Sequence, residues 1–381
     1  MRTHTVKLGE VAVVKGGKRL PKGVGLITTP NSHPYIRVRD LNGKCPLELN
    51  NTFEFVDDNT QATISKYTVN SGDIVLSIVG TIGLVSIVGS SLNRANLTEN
   101  CVKLTALPNI DRDFLYYFLK SPYGQQKIAQ GTVGAVQAKL PIKNIQNIEI
   151  NFPDIKIQKE IASILSSLDN KIFVNDNIND NLLEQASSIY QAWFEDFILS
   201  DGSYPPSWEQ GTLAGIADIT SGKRPPVKSA EKTDTAIIPI VGAASVMGYT
   251  TKANHTDKIL VIGRVGTHGV VQRFNSPCWT SDNTLIITST FYEYTFQILQ
   301  RIDYRAMNRG STQPLITQGD MNKVPILIPD KETLSKFETL VGQLMEQYRA
   351  NLLENDKLAE LRDALLPKLM SGEIDVSSVQ L

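Results

Sequence analysis

Short β-type runs alternate with turn residues in two parts of the chain, and each part is followed by a long stretch with a helical period. Residues 74–79 and 258–262 consist mainly of Val, Ile and Leu and are bounded by turn formers such as Gly, Asn and Asp, which is typical of strands. The bulky, periodic segments 111–121 and 292–302 predict one short helix in each part. The pattern therefore predicts two α+β domains with mixed or antiparallel β-sheet.

From residue 154 to about residue 199, and again from 330 to 371, apolar residues recur every three or four positions. Such a narrow seam is typical of a coiled-coil helix, and a helix of this length is stable in water only when its seam is buried. We therefore expect the two helices to pair antiparallel, which would place the two domains at opposite ends. The predicted seam consists of Ile157, Ile161, Ile164, Leu168, Ile172, Leu182, Ala186, Ile189 and Trp193 in the first helix, and of Leu334, Phe337, Leu340, Leu344, Tyr348, Leu358, Leu361, Leu365 and Leu369 in the second.

The ends and the polar positions of these helices are also predicted. Asp154 and Asp330 are the expected N-caps, and Gly372 is the expected C-terminal cap. Asparagines occupy equivalent positions in the two helices, where they either fix the register of the seam or face solvent. The two equivalent pairs are Asn175 with Asn351 and Asn179 with Asn355.

The two parts of the chain are copies of each other, because the same short sequence motifs recur in the same order. This repeat predicts a first globular domain at 1–153, a long helix at 154–200, a second globular domain at 201–329, and a second long helix with a tail at 330–381. The matched anchors are Leu8 with Leu213, Gly17-Lys18-Arg19 with Gly222-Lys223-Arg224, residues 79–83 with 265–269, Thr98-Glu99-Asn100 with Ser281-Asp282-Asn283, and Gly134, Gln137 and Leu140 with Gly310, Gln313 and Ile316.

Charge is distributed unevenly along a chain whose net charge is -1. Residues 1–150 carry 17 Lys and Arg against 11 Asp and Glu, whereas residues 151–200 carry 3 against 8. The second copy is less polarised, with 12 against 11 in 201–330 and 6 against 9 in 331–381. Basic domains on acidic helices are compatible with a polyanionic partner. Because the first residues lack an apolar signal core and the apolar runs are short, we expect a cytoplasmic protein without a membrane segment.

The spacing of candidate motifs argues against an enzyme. Gly17-Lys18-Arg19 and its counterpart lack the GxxxxGK[ST] spacing of a phosphate loop, and residues 79–83 and 265–269 do not form a GxGxxG fingerprint. None of the four histidines has the spacing of a paired metal ligand. We therefore predict a noncatalytic protein with no metal and no cofactor of its own.

What remains is a set of basic and amide side chains placed alike at turns in both halves. Arg can donate two hydrogen bonds to phosphate or to guanine, and Gln can pair with adenine. Any single one of them is better explained as a solvated surface charge or a turn amide, but their joint repetition favours DNA contact. The candidate DNA-binding residues are Lys18, Arg19, Lys22, Arg37, Arg39, Gln137, Lys139, Lys223, Arg224, Lys228, Arg264, His268, Arg273, Arg309, Thr312 and Gln313.

The order of these segments resembles the specificity subunit of type I restriction-modification systems over essentially all 381 residues. The similar segments are GGKRLP at 16–21, SGKRPP at 221–226, PYIRVRDL at 34–41, residues 131–153 and 310–329, and the helix endings at 189–197 and 361–376.

The resemblance implies a noncatalytic subunit whose two target recognition domains each recognise one half of a split double-stranded DNA site, while the helices set the unread gap. It also implies two methyltransferase subunits, docked by the helices, and two restriction and translocase subunits bound through them. S-adenosylmethionine, ATP and Mg are then expected in those partners. Trp193, Phe194 and Phe197 are candidates either for this docking or for core packing.

Two alternatives remain at this point. The chain could serve a related two-subunit restriction enzyme or a stand-alone methyltransferase, which a neighbouring ATP-dependent nuclease gene would distinguish. It could also be a duplicated scaffold that binds no DNA, in which case its binding would not weaken with salt.

Overall fold

The computed structural model describes residues 4–41, 45–134, 137–265, 269–307 and 315–376. The chain divides into unit 1, residues 1–177 with 351–381, and unit 2, residues 178–350. Each unit thus contains one β-rich part of the repeat and a portion of each predicted long helix.

The described residues of unit 1 form three sheets. Its described strands are β1 (His4–Lys7), β2 (Ala12–Gly16), β3 (Pro34–Ile36), β4 (Glu54–Phe55), β5 (Ile74–Ser77), β6 (Val85–Ile87), β7 (Asn96–Leu97), β8 (Cys101–Ala106) and β9 (Glu149–Phe152). The largest sheet is antiparallel with the order β2-β8-β5-β6. A mixed sheet has the order β4-β3-β7, with β3 and β7 parallel, and β1 pairs with β9.

Helices cover one face of the four-stranded sheet in unit 1. The described helices that begin in this unit are α1 (Leu8–Val11), α2 (Asp58–Ile64), α3 (Arg112–Lys120), α4 (Pro122–Gly131), α5 (Ile142–Gln146) and α6 (Ile155–Phe194), with single 3-10 turns at Val38–Asp40 and Ser90–Leu92. Alternation along β5 divides the core: Ile74 and Leu76 pack with the aromatic face of α3, whereas Val75 packs toward the mixed sheet. The central strand is therefore buried on both faces.

Unit 2 repeats this architecture. Its described strands are β10 (Glu209–Thr212), β11 (Ala217–Ser221), β12 (Ile238–Val241), β13 (Val246–Thr250), β14 (Ile259–Gly263), β15 (Gln272–Phe274), β16 (Trp279–Thr280), β17 (Thr284–Ser289) and β18 (Pro325–Ile328). The helices that begin here are α7 (Tyr292–Arg301), α8 (Gln318–Asn322) and α9 (Lys331–Ser371), with 3-10 turns at Ile198–Ser200 and Leu213–Gly215. The sheet orders β11-β17-β14-β15, β13-β12-β16 and β10-β18 match those of unit 1.

In unit 1, α6 and α9 are antiparallel, and polar contacts join them beside the apolar core that they share. Asp169 on α6 accepts a hydrogen bond from Arg362 Nη1 at 2.6 Å and another from the hydroxyl of Tyr117 on α3 at 2.7 Å. Asn175 Nδ2 donates to Asn355 Oδ1 at 2.9 Å, so advancing along α6 means moving back along α9. The Asp169 carboxylate therefore joins both long helices to the domain.

In unit 2, an aromatic cluster joins the other portions of the same two helices. Phe337 on α9 is fully buried, and its ring centroid lies 5.1 Å from that of Phe194 and 6.2 Å from that of Tyr190, both on α6. Tyr294 of α7 lies 4.8 Å from Phe194. Aromatic contacts thus join α6 and α9 in unit 2, whereas the Asp169–Arg362 ion pair joins them in unit 1.

The structure decides between the two explanations of the seam asparagines and corrects part of the apolar seam. Asn175, Asn179 and Asn351 are at most 4% exposed, so they lie within the seam. Leu340 and Leu361, predicted as seam residues, are 40% and 44% exposed. Each lies directly before a residue that turns inward instead, Val341 and Arg362 respectively. A repeat of 3.5 residues slips against the 3.6-residue turn, which allows either of two neighbouring residues to face the partner.

The predicted fold class is confirmed: two β-sheet domains of α+β type accompany two long helices that pack together. The second helix has the predicted ends, because Asp330 accepts the Thr333 amide at 2.9 Å and Gly372 has a φ of 77°. In the described part of the chain, no helix is both long and apolar enough to cross a membrane.

Glu338 on α9 caps the N-terminus of α7. Its carboxylate accepts the backbone N–H of Glu293 at 3.1 Å and that of Tyr294 at 2.8 Å, whereas the N-cap residue of α7 supplies no side-chain hydrogen bond. Burial raises the pKa of Glu338 from its ordinary value of 4.5 to about 7. This carboxyl group therefore holds a proton in the folded protein under conditions in which it is ionised in the unfolded chain.

We expect the Glu338→Gln substitution to flatten the pH dependence of stability. Because the folded pKa lies above the unfolded one, this group makes the wild-type chain less stable as pH rises from 4.5 to about 7. The difference amounts to at most about 3 kcal/mol, and glutamine removes it. Urea unfolding at about pH 5 and about pH 7.5 measures the effect. Glu332→Gln, at an exposed position of the same helix, is the control, and equal pH profiles of wild type and Glu338→Gln would contradict the expectation.

Candidate nucleic-acid interface

Three loops of unit 1 meet at one end of the four-stranded sheet. Because β8 is antiparallel to both of its neighbours, the residues that follow β2 and β5 lie beside those that precede β8. The register pairs Gly16 with Val102 and Ser77 with Cys101. The loop of Lys18 and the turn of residues 98–100 are therefore neighbours, although about 80 residues separate them in the chain.

Backbone hydrogen bonds fix the Gly17-Lys18-Arg19 loop against this end of the sheet. The amide of Gly17 donates to the carbonyl of Cys101 at 3.0 Å, and that of Lys18 donates to the carbonyl of Leu97 at 2.8 Å. The Tyr35 hydroxyl donates to the Lys18 carbonyl at 2.7 Å. A Cβ at Gly17 would lie 2.0 Å from the Thr98 carbonyl oxygen, so this approach requires glycine.

Unit 2 builds the same loop with the same contacts. The amide of Gly222 donates to Thr284 and that of Lys223 to Thr280, both at 3.0 Å. Trp279 Nε1 donates to the Lys223 carbonyl at 2.7 Å, as the Tyr35 hydroxyl does in unit 1. A Cβ at Gly222 would lie 2.0 Å from the Ser281 carbonyl oxygen. The repeated Gly-Lys-Arg sequence therefore encodes one loop geometry used twice.

A second anchor brings the Gln137 segment to the same end of unit 1. The Ile78 amide donates to Asn100 at 2.8 Å, and the Ile78 carbonyl accepts from Leu140 at 3.0 Å. Unit 2 repeats both bonds: the Arg264 amide donates to Asn283 at 2.8 Å, and the Arg264 carbonyl accepts from Ile316 at 3.0 Å. The described ends of these loops thus lie together at one end of the four-stranded sheet within each unit.

The candidate residues fall into three groups. Three arginines are half-buried: Arg37, Arg264 and Arg273. Four candidates lie outside the described residues: His268, Arg309, Thr312 and Gln313. The remaining candidates are exposed, as DNA contact requires: Lys18, Arg19, Lys22, Arg39, Gln137, Lys139, Lys223, Arg224 and Lys228.

Carboxylates already engage several of the arginines. Arg37 Nη1 and Arg39 Nη2 both donate to Glu54, the latter at 3.0 Å. Arg273 Nη2 contacts Glu293 at 2.6 Å, and its guanidinium lies 4.5 Å from the centroid of the Phe296 ring. Arg273 therefore ties β15 to α7, whereas Arg37 and Arg39 line a cavity of 350 Å³ together with Arg19.

The two acidic residues that accept hydrogen bonds from Arg39 and Arg19 were missed by sequence reasoning. Glu54 lies 15 residues from Arg39, and only the pairing of β3 with β4 brings them together. Glu99 belongs to the repeated segment 98–100, which was the available signal. Burial raises the pKa of Glu99, but the hydrogen bonds from Arg19, its own backbone amide and Thr98, together with the charge of Arg19, lower this pKa by more, so the net direction is downward. The carboxylate therefore stays ionised beside the guanidinium.

Within the described ranges, Arg264, like Arg37 and Arg273, has part of its guanidinium buried without a hydrogen-bond partner. Among the described residues, its Nε has no hydrogen-bond partner. An unpaired buried donor is costly, so a ligand oxygen at this end of unit 2 would relieve the cost. In the part of the chain that the structure describes, no group of three or more His, Cys, Asp or Glu could hold a metal ion.

A family model and two known proteins match this chain over more than half of its length. The family model for the type I restriction modification DNA specificity domain matches residues 3–184 and 205–362. The specificity subunit of the type I restriction enzyme MjaIX from Methanocaldococcus jannaschii is 24% identical over 347 residues, covering 81% of this chain and 79% of that protein. The HindI specificity subunit from Haemophilus influenzae is 23% identical over 326 residues, covering 62% and 71%.

A solved structure supports the same fold. The S subunit of a type I restriction-modification system from M. genitalium has a TM-score of 0.58 with this chain at 19% identity, covering 97% of this chain and 96% of that one. At this identity, the likeness concerns the fold.

Proposed function

The chain belongs to the type I restriction-modification DNA specificity family and is a noncatalytic DNA specificity subunit, and we propose that each of its two units recognises one half of a bipartite DNA site. The observation that carries this proposal is the repeated Gly-Lys-Arg loop. Equivalent backbone hydrogen bonds hold the two copies, each at the equivalent end of the four-stranded sheet of its own unit.

The proposed interface consists of the exposed basic and amide residues at these sheet ends. Lysines such as Lys18, Lys22, Lys223 and Lys228 suit phosphate contact because an ammonium group is a mobile point charge. The candidates of the undescribed segments, His268, Arg309, Thr312 and Gln313, belong to the same proposal. The two units carry different residues at many of these turns, so we expect the two half-sites to differ in sequence.

The paired helices are proposed to set the gap between the half-sites and to dock two methyltransferase subunits. S-adenosylmethionine would be bound by those subunits, and ATP and Mg by two restriction subunits attached through them. The chain itself would contribute only recognition. Because the complex would act on host and invading DNA, we expect it to work in the cytoplasm.

Mapping of N6-methyladenine tests the proposal directly. The chain is expressed with its partner methyltransferase in a host that lacks other adenine methylation, and the partner expressed alone is the control. The expected result is one bipartite motif with a fixed gap that requires this chain. A methylome that does not depend on the chain would overturn the proposal.

Lysines at the sheet end of unit 1 should contribute sequence-independent affinity. We expect the double substitution of Lys18 and Lys22 by Gln to weaken binding to cognate and unrelated duplexes alike, on the order of tenfold at physiological salt. The slope of log affinity against log salt should fall by about two, because two phosphate contacts are lost. Fluorescence anisotropy with labelled duplexes over a salt series measures both quantities.

The matched control replaces Lys156 and Lys331 by Gln, which removes two positive charges from exposed positions at the starts of the long helices. Its salt slope should equal that of the wild type. An equal decrease of the slope in both double variants would mean that overall charge, rather than the sheet-end loop, determines affinity.

A further inference from the structure

Arg19 is held by a carboxylate in a way that leaves its two terminal amino groups available. Its Nε lies 2.6 Å from Glu99 Oε1, and Thr98 Oγ1 donates to the second oxygen of Glu99 at 3.1 Å. Across the described ranges, no hydrogen bond engages Nη1 or Nη2 of Arg19, and the side chain is 79% exposed. The guanidinium group is therefore oriented by Glu99 at its Nε, and its Nη1 and Nη2 are open to a ligand.

The other arginines that line the same cavity lack this arrangement. Arg37 and Arg39 each have a terminal amino group bonded to Glu54, so neither offers both amino groups to a ligand without breaking an ion pair. Of the three arginines that line the described cavity, Arg19 is thus the one that can donate two hydrogen bonds from its terminal amino groups without breaking an ion pair.

The backbone beside Arg19 is also fixed before any ligand arrives. The preceding residue, Lys18, is bonded through its amide to Leu97 and through its carbonyl to Tyr35. Glu99 itself lies in the turn that immediately precedes β8. A side chain anchored at both its backbone and its Nε loses little conformational freedom on binding, which favours a specific contact.

The charge of Glu99 favours a base over a phosphate as the ligand. A phosphate bound at the open edge of Arg19 would bring a second anion close to the ionised Glu99 carboxylate, and the two would repel each other. A guanine presents the uncharged acceptors O6 and N7 in the major groove, with a spacing that fits the two amino groups of arginine. Its binding does not incur this repulsion.

We propose that Arg19, positioned by Glu99, recognises one guanine in the half-site bound by unit 1, donating from Nη1 and Nη2 to O6 and N7. Glu99 acts as a positioning residue and need not touch the base. This inference rests on the proposed function, because it assigns a base to the interface described there.

Unit 2 provides an internal contrast. Arg224 occupies the position of Arg19, and Asp282 that of Glu99. Asp282 is one methylene shorter than a glutamate, and within the described residues it forms no ion pair with Arg224. Arg224 is therefore an exposed cation that Asp282 does not hold in place, which suits a phosphate contact, and its loss should not remove a base from the motif.

The test combines methylome mapping with binding measurements on the complex of the full chain and its methyltransferase. The variants are Arg19→Ala, Glu99→Gln, the double variant that combines these two substitutions, Arg224→Ala and Lys156→Gln, the last being a charge control on α6. The probes are a duplex carrying the motif of the wild-type chain and duplexes in which each guanine of either half-site is replaced in turn. Thermal melting verifies that each variant is folded.

We expect Arg19→Ala and Glu99→Gln to reduce discrimination at the same single guanine by about 10- to 100-fold and to turn that position of the methylated motif into any base. The salt slope should stay unchanged, and the double variant should lose no more than Arg19→Ala alone. Arg224→Ala should lower the salt slope by about one with the motif intact, and Lys156→Gln should change neither.

Two results would overturn the inference while leaving the proposed function intact. The first is a Glu99→Gln variant that binds every duplex more tightly with an unchanged motif, since Glu99 would then only repel the DNA backbone. The second is an Arg19→Ala variant that weakens all duplexes equally and lowers the salt slope by about one. A wild-type complex without any sequence-specific methylation would instead refute the proposed function itself.

Discussion

Replacing Phe337 by alanine is expected to lower the free energy of unfolding of unit 2 by about 3 to 5 kcal/mol. The side chain is fully buried, and its ring centroid lies 5.9 Å from that of Trp193 and 6.2 Å from that of Tyr294. The substitution leaves a cavity where α9 meets both α6 and α7. Guanidinium denaturation followed by tryptophan fluorescence measures the loss, because all three tryptophans of the chain, Trp193, Trp208 and Trp279, lie in unit 2.

Leu340→Ala is the matched control, since Leu340 lies one turn further along the same helix but is 40% exposed. Its substitution should cost less than about 1 kcal/mol. Equal losses for the two variants would show that the aromatic cluster does not hold α9 against the domain.

The same cluster accounts for the aromatic residues at the end of α6, which the sequence left between docking and core packing. Phe194 is 5% exposed and lies 5.6 Å from Trp208 between ring centroids. Trp193 and Phe197 are half-buried and pack at its edge. Phe194 is thus a core residue, and any methyltransferase contact near it would have to use the exposed edges of its two neighbours.

The repeat in the sequence predicted more of the site than the composition did. Gly17 and Gly222 match in sequence because each brings the backbone to within bonding distance of a neighbouring strand, and a side chain would collide there. Both copies of the repeat keep this glycine, although the strand that it approaches is distant in the chain. Matching anchors in two halves therefore predicted matching loops, and the hydrogen bonds of both copies agree residue by residue.

Side-chain pairs that the two copies do not share could not be predicted in this way. The carboxylates that engage Arg39 and Arg19 come from other strands or turns, 15 and 80 residues away. The predicted apolar seam was wrong at Leu340 for a different reason. At Leu340 and Val341 two neighbouring residues are both apolar, so hydropathy alone does not determine which of them faces the partner helix.

The role of the paired helices yields the prediction with the largest effect on specificity. We expect four helix-forming residues, inserted after Asn177 in α6 and after Ala350 in α9, to lengthen the gap of the methylated motif by one or two base pairs while both half-sites stay the same. Four residues advance a helix by about 6 Å and turn it by about 40°. One base pair advances the duplex by about 3.4 Å and turns it by about 35°, so the advance favours two base pairs and the rotation favours one.

The insertion points follow from the division of the chain, because both helices pass from one unit to the other there. Inserting in both helices keeps their antiparallel pairs together within each unit, including Asn175 with Asn355, and a four-residue insertion only locally unwinds a coiled coil. As a control, the same four residues are placed after Gly202, in an exposed segment that follows α6, and the gap should not change. An unchanged gap in the helix variant, with methylation retained, would show that the spacing of the half-sites is set elsewhere than in α6 and α9.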